Sequence, residues 1–278
     1  MRELGYVEGR DFLIELRCAE GKLERLPELA EEMVRLKLDV LTAAFPSAIR
    51  ALQKATTSIP IVMAGPSDPV LQGFAKSYGR PGGNITGVSR LLPSMGTKLL
   101  EILISAVPKV SRIAVFTEPS NYEVATVAAM RGKDLQDAAR AKNVTLAFVE
   151  IRTWQEVEDA FSTVVRDKRE AAIIDLGAVM FPRRFRVAEL ATKNRLPTIS
   201  FVSDYALGGG LISYGANEAD HYRQTAVYVD KILKGATPGN LPIEQASKFE
   251  LIVNLKTASA LELTIPQSLL LQASGVIR

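Results

Sequence analysis

The 278-residue chain carries 34 lysines and arginines against 31 acidic residues, a net charge of +3 that is too slight to argue for a nucleic-acid partner. With 47% hydrophobic and 23% charged residues, it has the composition of a globular α/β protein long enough for one large or two medium cores. One cysteine, Cys18, and one histidine, His221, exclude an internal disulfide, a thiolate metal site and multi-histidine chemistry.

Met1–Tyr6 reads as the tail of a helix stopped by Gly5, so the chain begins in mid-element. Phe12–Leu16 is a strand by its β-branched and aromatic content, and Leu26–Leu36 a helix with Leu29, Met33 and Leu36 on one face. Asp39–Ala44 is the next strand, followed after Phe45-Pro46-Ser47 by a helix from Ala48 to about Thr56. Ile61–Ala64, between Pro60 and Gly65-Pro66, is a buried strand that opens into a loop, where Ser67 and Asp68 precede Pro69 as an N-cap precedes a first-turn proline. The glycine-rich Gly79–Gly83 leads to Ile85–Ser89, apolar again.

Met95–Val107 is an amphipathic helix and Arg112–Phe116 a strand. Ser120 and Glu123 fit a capping box for a helix running to about Lys142, with Asn143 as its stop; Thr153–Glu156 is a second capping box after the strand Thr145–Glu150. Ala171–Leu176 and Thr198–Phe201 are strands, with a helix from Phe181 to Asn194 between them; Arg183, Arg184 and Arg186 read as its solvated face. Leu211–Tyr214 is a strand, and Asn217 caps a helix to Lys234 whose end charges complement its dipole and on which His221 reads as a surface residue. Phe249–Val253 is a last strand, and the tail to Arg278 is short helical or irregular cover.

Alternating strands and helices predict parallel sheets covered on both faces, and glycine breaks near Gly83 and Gly208 favour two sheets over one. Ligands of such sheets bind beyond the carboxyl ends of the strands. Those ends carry Phe45, Ser47, Ser67, Asp68, Glu118, Ser120, Asn121, Asp175, Ser203, Asp204 and Tyr214. No dinucleotide fingerprint, P-loop, nucleophile elbow or zinc-protease motif accompanies them. Helix N-termini, hydroxyls, amides and a few acids suit a small zwitterion or anion held without turnover, with no cofactor and no metal. An enzyme of Rossmann-like type using Asp175 or Asp204, and a sensory ligand domain, stay open beside that reading.

Leu4-Gly5-Tyr6-Val7-Glu8-Gly9-Arg10, Asp68-Pro69-Val70, Arg80-Pro81-Gly82-Gly83-Asn84-Ile85-Thr86-Gly87, Leu196-Pro197-Thr198-Ile199 and Lys248-Phe249-Glu250-Leu251-Ile252-Val253-Asn254-Leu255-Lys256 resemble, nearly end to end, the ABC-transporter substrate-binding proteins of the tryptophan/tyrosine type. The resemblance implies a type I periplasmic binding fold of two Rossmann-like lobes that close on a solute and deliver it to a membrane permease. It implies lobe 1 from residues 1–90 plus 212–240 and lobe 2 from 91–211 plus 241–278, with crossovers near Ser89–Leu92, Gly208–Ser213 and Pro238–Ile243. By the same resemblance the helix Asn217–Lys234 returns to the first lobe. Backbone N–H groups at Ser47, Ala48, Ser67 and Asp68 would take the carboxylate of an amino acid or related compound; Ser120, Asn121, Asp175 and Asp204 would offer partners from the second lobe, and Tyr214 would pack on the ligand.

Such proteins are periplasmic or lipid-anchored. This chain has no signal sequence or membrane-length apolar run, so as written it would stay in the cytoplasm. Relative to the family it lacks a first strand, central in the first sheet, and most of a first helix, which implies either a start assigned too far downstream or a real fragment.

Overall fold

Ile61–Ala64 and Ile85–Ser89 are buried on both alternating sets of side chains, and a strand of that kind is stable only with cover above and below. Both form as expected, in a computed structural model that describes residues 1–66, 68–90, 94–118 and 132–278. The described chain divides into two compact units, Met1–Leu91 with Glu218–Ser247, and Leu92–Asn217 with Lys248–Arg278.

In the first unit, β1 (Leu41–Ala43), β2 (Ile61–Ala64), β3 (Ile85–Ser89) and β9 (Glu244–Gln245) form a parallel sheet in that order, with Leu41 opposite Ile61 and Ile61 opposite Ile85. One face buries Leu41, Ile61, Met63 and Ile85 against Ala30 of α1 (Leu26–Arg35) and Ile49 and Leu52 of α2 (Pro46–Ala55). The other buries Val62 and Val88 against Tyr228 and Ile232. These last two belong to α8 (Glu218–Leu233), which packs on β2 and β3. Burying each such side chain contributes about 1.5–3 kcal/mol. Gly87 lets β2 and β3 approach: its φ is 133°, and a Cβ there would lie 2.3 Å from the Met63 carbonyl oxygen.

The second unit holds the larger sheet. Its strands are β4 (Arg112–Thr117), β5 (Thr145–Glu150), β6 (Ala171–Ile174), β7 (Thr198–Ser200), β8 (Ile212–Ala216), β10 (Phe249–Asn254) and β11 (Gly275–Ile277). The order is β11-β10-β8-β7-β6-β4-β5, parallel except where β10 runs against β8. Around it lie α3 (Met95–Ala106), α4 (Lys133–Ala141), α5 (Gln155–Arg166), α6 (Arg184–Lys193), α7 (Ser203–Leu207), α9 (Leu255–Ala260) and α10 (Gln267–Leu270). Phe116 of β4 meets Phe161 of α5 with ring centroids 4.9 Å apart.

Several expectations need correcting. Phe12–Leu16 is not a strand: among the described residues it hydrogen-bonds no neighbour in a ladder, and its only β-type pairing is the isolated Glu8–Phe12 bridge. Side-chain propensity cannot make a strand without a partner. The tail contributes β11, which pairs with β10, and the two-residue β9 lacks the length for a hydrophobic signal. Because β8 pairs with β7 and β10, residues 212–217 lie in the larger sheet's unit, while β9 keeps 241–247 with the first, so the later two passages fall after Asn217 and after Ser247. The box at Thr153–Glu156 is displaced: Glu156 accepts from the Arg152 N–H at 2.8 Å, and Trp154 is the N-cap of α5. The expected capping box at Ser120 lies outside the described residues; α4 begins at Lys133 with Gly132 as its N-cap in extended conformation. Gly5 does stop a short 3-10 turn, Arg2–Leu4, with φ 88° and its N–H on the Arg2 carbonyl.

Gly87→Ala is expected to cost about 3 kcal/mol, the sum of a strained positive φ and a clash with backbone that cannot rotate away. A urea midpoint equal to that of the unsubstituted chain would show that the β2–β3 spacing relaxes freely.

Candidate functional site

Parallel strands end at one edge of their sheet, and the loops there join each strand to its next helix. In the first unit β1 leads through Ala44 and Phe45 to α2, with Phe45 as N-cap in extended conformation and Pro46 in the first turn, where its missing N–H costs nothing. Ser47 and Ala48 follow, half-buried, in that first turn, whose N–H groups point out of the helix end. After β2, Asp68 is half-buried and its Oδ1 accepts from the N–H groups of Val70 and Leu71 at 3.1 and 3.0 Å. That segment makes a hydrogen-bonded turn in place of the helix that Pro69 suggested. Ser67, Ser120 and Asn121 lie outside the described residues.

Three side chains that pattern reasoning passed over close the same edge. Arg90, directly after β3, donates from Nη2 to Oε2 of Glu218 at 3.0 Å, tying the end of β3 to the start of α8. His221, one turn along α8, is only 2% exposed, which overturns its reading as a surface residue. It belongs to the buried stripe His221, Thr225, Tyr228, Ile232 of α8, and that four-three-four spacing is the signal that marks it as inward-facing. Gly65, at φ 118°, makes room for both: a Cβ there would stand 3.0 Å from Arg90 Nε and 3.1 Å from His221 Nε2. Neither ring nitrogen of His221 completes a hydrogen bond among the described residues. Burial, then the Arg90 charge, push its pKa down to about 4, opposed in part by the Ala64 backbone and by Asp220. Tyr78 stands near Asp68; burial first, and then that carboxylate, push its hydroxyl up.

In the second unit Asp175 follows β6 and is fully buried, its N–H donating to the Phe116 carbonyl at 3.1 Å. Ser203 and Asp204 open α7 just after β7. Asp204 accepts from Arg184 Nη2 at 2.9 Å, and the Arg184 guanidinium lies 4.6 and 4.5 Å from the ring centroids of Phe181 and Phe185. Arg184 is therefore no part of a solvated face. Tyr214, on β8, stacks on Phe249 of β10 at 5.8 Å. Glu118, buried at the end of β4, accepts from the N–H groups of Val179 and Met180 at 2.7 and 2.8 Å and so shapes the loop after Asp175. Each unit thus places its described strand-end residues at the carboxyl edge of its own sheet, with Tyr214 instead in the middle of β8. In each, part of the polar inventory already has a structural task.

Among the described residues no cluster of three or more His, Cys, Asp or Glu could hold a metal ion. Donors at a helix start and Asp68 in the first unit, and Asp204 with packed aromatics in the second, are groups of the kind that orient a small polar molecule.

Comparison with known proteins agrees. Residues 1–277 match the ABC transporter substrate binding protein family. A curated relative, the tyrosine-binding protein of Clostridioides difficile (strain R20291), is 26% identical over 263 residues, covering 95% of this chain and 74% of its own length. A conserved domain protein from Vibrio cholerae superposes with a TM-score of 0.89 at 26% identity, over 99% of this chain and 90% of that one. The ABC domain from Streptococcus pneumonia in complex with L-Trp shares the fold with a TM-score of 0.87 at 24% identity, over 99% and 91% of the two chains.

The His221 environment sets a pH dependence. The unfolded chain binds a proton on this ring below about pH 6.5, whereas the folded chain does so only near pH 4. Stability from the neutral ring is therefore whole above pH 6.5 and drains away as pH falls toward 4, by at most about 3 kcal/mol. His221→Gln is expected to flatten urea stability across that window. Carboxylates held low by their partners, such as Asp230 and Glu170, begin to lose their contribution only as pH approaches their ordinary values of 3.8 and 4.5, so the histidine is read from the slope between pH 6.5 and about 5.5.

Proposed function

This chain belongs to the ABC transporter substrate-binding proteins, and from that premise we propose that its solute is an amino acid or a close carboxylate relative, with aromatic amino acids foremost. The family is one of binding components, so the chain is not an enzyme, and a small-molecule solute and a membrane transporter are its family-level partners. The observation that carries the choice of solute is the tyrosine-binding relative that matches over 95% of this chain, with the L-Trp complex as a neighbour in fold.

In this reading the solute carboxylate sits on first-turn N–H groups at Ser47 and Ala48, beside Phe45, and on the loop of Ser67 and Asp68. The first unit supports that role with the N-terminal turn of α2, since the positive end of a helix dipole attracts anions. Ser120, Asn121, Asp175, Ser203 and Asp204 receive the ammonium and the remaining polar edge, and Tyr214 offers its ring. The two units, Met1–Leu91 with Glu218–Ser247 and Leu92–Asn217 with Lys248–Arg278, are the lobes that hold the solute in this reading. The working place is the periplasm or a lipid-anchored position, and the partner is an ABC permease. No helix among the described residues is long and apolar enough to cross a membrane.

Thermal melting against amino acids tests the proposal. L-Trp, L-Tyr or L-Phe at one hundred times the dissociation constant adds about 2.7 kcal/mol and raises the melting temperature by several degrees, while the corresponding amides, which lack the carboxylate, do not. Asp175→Asn, nearly equal in shape, is expected to weaken the bound amino acid at least tenfold with little change in the unliganded melt. A complete amino-acid panel without any shift would remove this class of solute.

A further inference from the structure

At the carboxyl edge of the first unit, Arg90 is 9% exposed and leaves most of its hydrogen-bonding capacity unused. A guanidinium presents five N–H donors in a rigid fork. Among the described residues this one completes a single side-chain bond, from Nη2 to Glu218, and its buried Nε finds no partner. Both ring nitrogens of His221 are in the same condition. Buried polar groups are nearly always hydrogen-bonded, so three unmet nitrogens in one cluster call for a reason.

The frame beneath them is fixed. The Gly65 N–H donates to the Val88 carbonyl at 3.0 Å, and the Ser89 hydroxyl and the Arg90 N–H both donate to the Pro66 carbonyl, at 3.0 and 3.2 Å. The loop after β2 is thereby fastened to the end of β3. Gly65, with φ 118°, turns a bare face toward Arg90 Nε and His221 Nε2, and a Cβ there would stand 3.0 and 3.1 Å from them. The two nitrogens converge on space that any larger residue would fill.

We propose that Arg90 and His221 are the acid-recognition residues of the solute site: Arg90 Nε and His221 Nε2 each donate a hydrogen bond to the solute carboxylate, while Glu218 holds the guanidinium in position. These contacts rest on the reading of the solute as an acid held at this edge, and they join the backbone N–H groups already assigned to it. An apolar group would leave the nitrogens unmet, and an ammonium would meet the Arg90 charge at contact. A carboxylate matches both donors, in bonds of the charge-assisted kind.

Glu218 already balances Arg90 at 3.0 Å, so a second carboxylate calls for a second positive charge. His221 supplies it by taking a proton from water on Nδ1. The groups around its ring are Arg90 from the end of β3, the Ala64 and Gly65 backbone from the end of β2, and, on α8 itself, Glu218 one turn earlier with the neighbours Asp220 and Tyr222. Burial, then Arg90, keep the ring neutral down to about pH 4. A carboxylate in contact raises its pKa into the range of about 5–7. The complex then holds more protons than the free chain, and affinity rises as pH falls from 7 toward 5.

The test uses the 278-residue chain, whose single histidine makes a ring NMR titration a record of His221 alone. The probes are L-Tyr, L-tyrosinamide and sodium acetate, with sodium chloride at equal concentration as the ionic control. L-Tyr and acetate, and neither the amide nor chloride, are expected to raise the proton affinity of the ring about tenfold or more, and L-Tyr is expected to bind at least about twofold tighter at pH 5 than at pH 7. Arg90→Lys, which keeps a cation for Glu218 and loses the Nε donor, is expected to bind L-Tyr about tenfold more weakly. If L-Tyr binds with the ring titration unchanged, its carboxylate lies elsewhere: the amino-acid reading stands and the acid-recognition pair falls. If no amino acid binds while acetate still raises the ring, the amino-acid reading falls and the pair stands. A ring that neither L-Tyr nor acetate moves, one that chloride moves equally, or an Arg90→Lys variant of undiminished affinity would overturn the proposal.

Discussion

Both faces of a parallel sheet must be covered, and the first unit meets that demand with segments far apart in the chain. Ile61, Met63 and Ile85 lie against α1 and α2, which precede or flank β2 in sequence, whereas Val62 and Val88 lie against Tyr228 and Ile232 of α8. Remove α8 and the sheet becomes one-sided, with valines in water. The same helix brings His221 against Gly65 and Glu218 against Arg90. Cover of the sheet and construction of its carboxyl edge are therefore one event.

Edge geometry then decides what the polar residues can do. An aspartate at a strand end is wanted by the turn that follows it, and Asp68 and Glu118 spend carboxylate oxygens on backbone N–H groups. Asp204 is held by Arg184, itself packed between two phenylalanines. Charges pre-oriented in this way lose little entropy when they are engaged by a further partner. Such groups are also poor at proton transfer, which needs groups free to change state, and that fits a family that binds and releases.

Strands buried on both faces were the most legible elements. The runs Ile61–Ala64 and Ile85–Ser89 were bounded by proline and glycine and matched to the residue, because in them local composition and tertiary demand agree. Phe12–Leu16 shows the converse, since its composition says strand and among the described residues it has no ladder partner. The strand-end aspartates could be placed from alternation alone, yet their partners could not: Arg184 was indistinguishable from a solvated arginine, and Arg90 stood in an expected crossover. His221 was misjudged for a definite reason. A histidine among polar residues looks exposed until the spacing to Thr225, Tyr228 and Ile232 is counted.

The two-part chain of the first unit has a consequence during synthesis. A ribosome adds about 5–20 residues each second, so at least about 8 s, and up to about 30 s, separate the emergence of Leu91 from that of Ser247, where the unit ends. Throughout that interval β2 and β3 exist without α8, and Val62 and Val88 present a sticky surface to every other nascent chain nearby. The second unit is interrupted for only the thirty residues 218–247. A holding chaperone that prefers exposed aliphatic strands would therefore find its longest-lived target in the first unit, and crowding or slow codons between these points would lower yield without altering any contact in the finished protein.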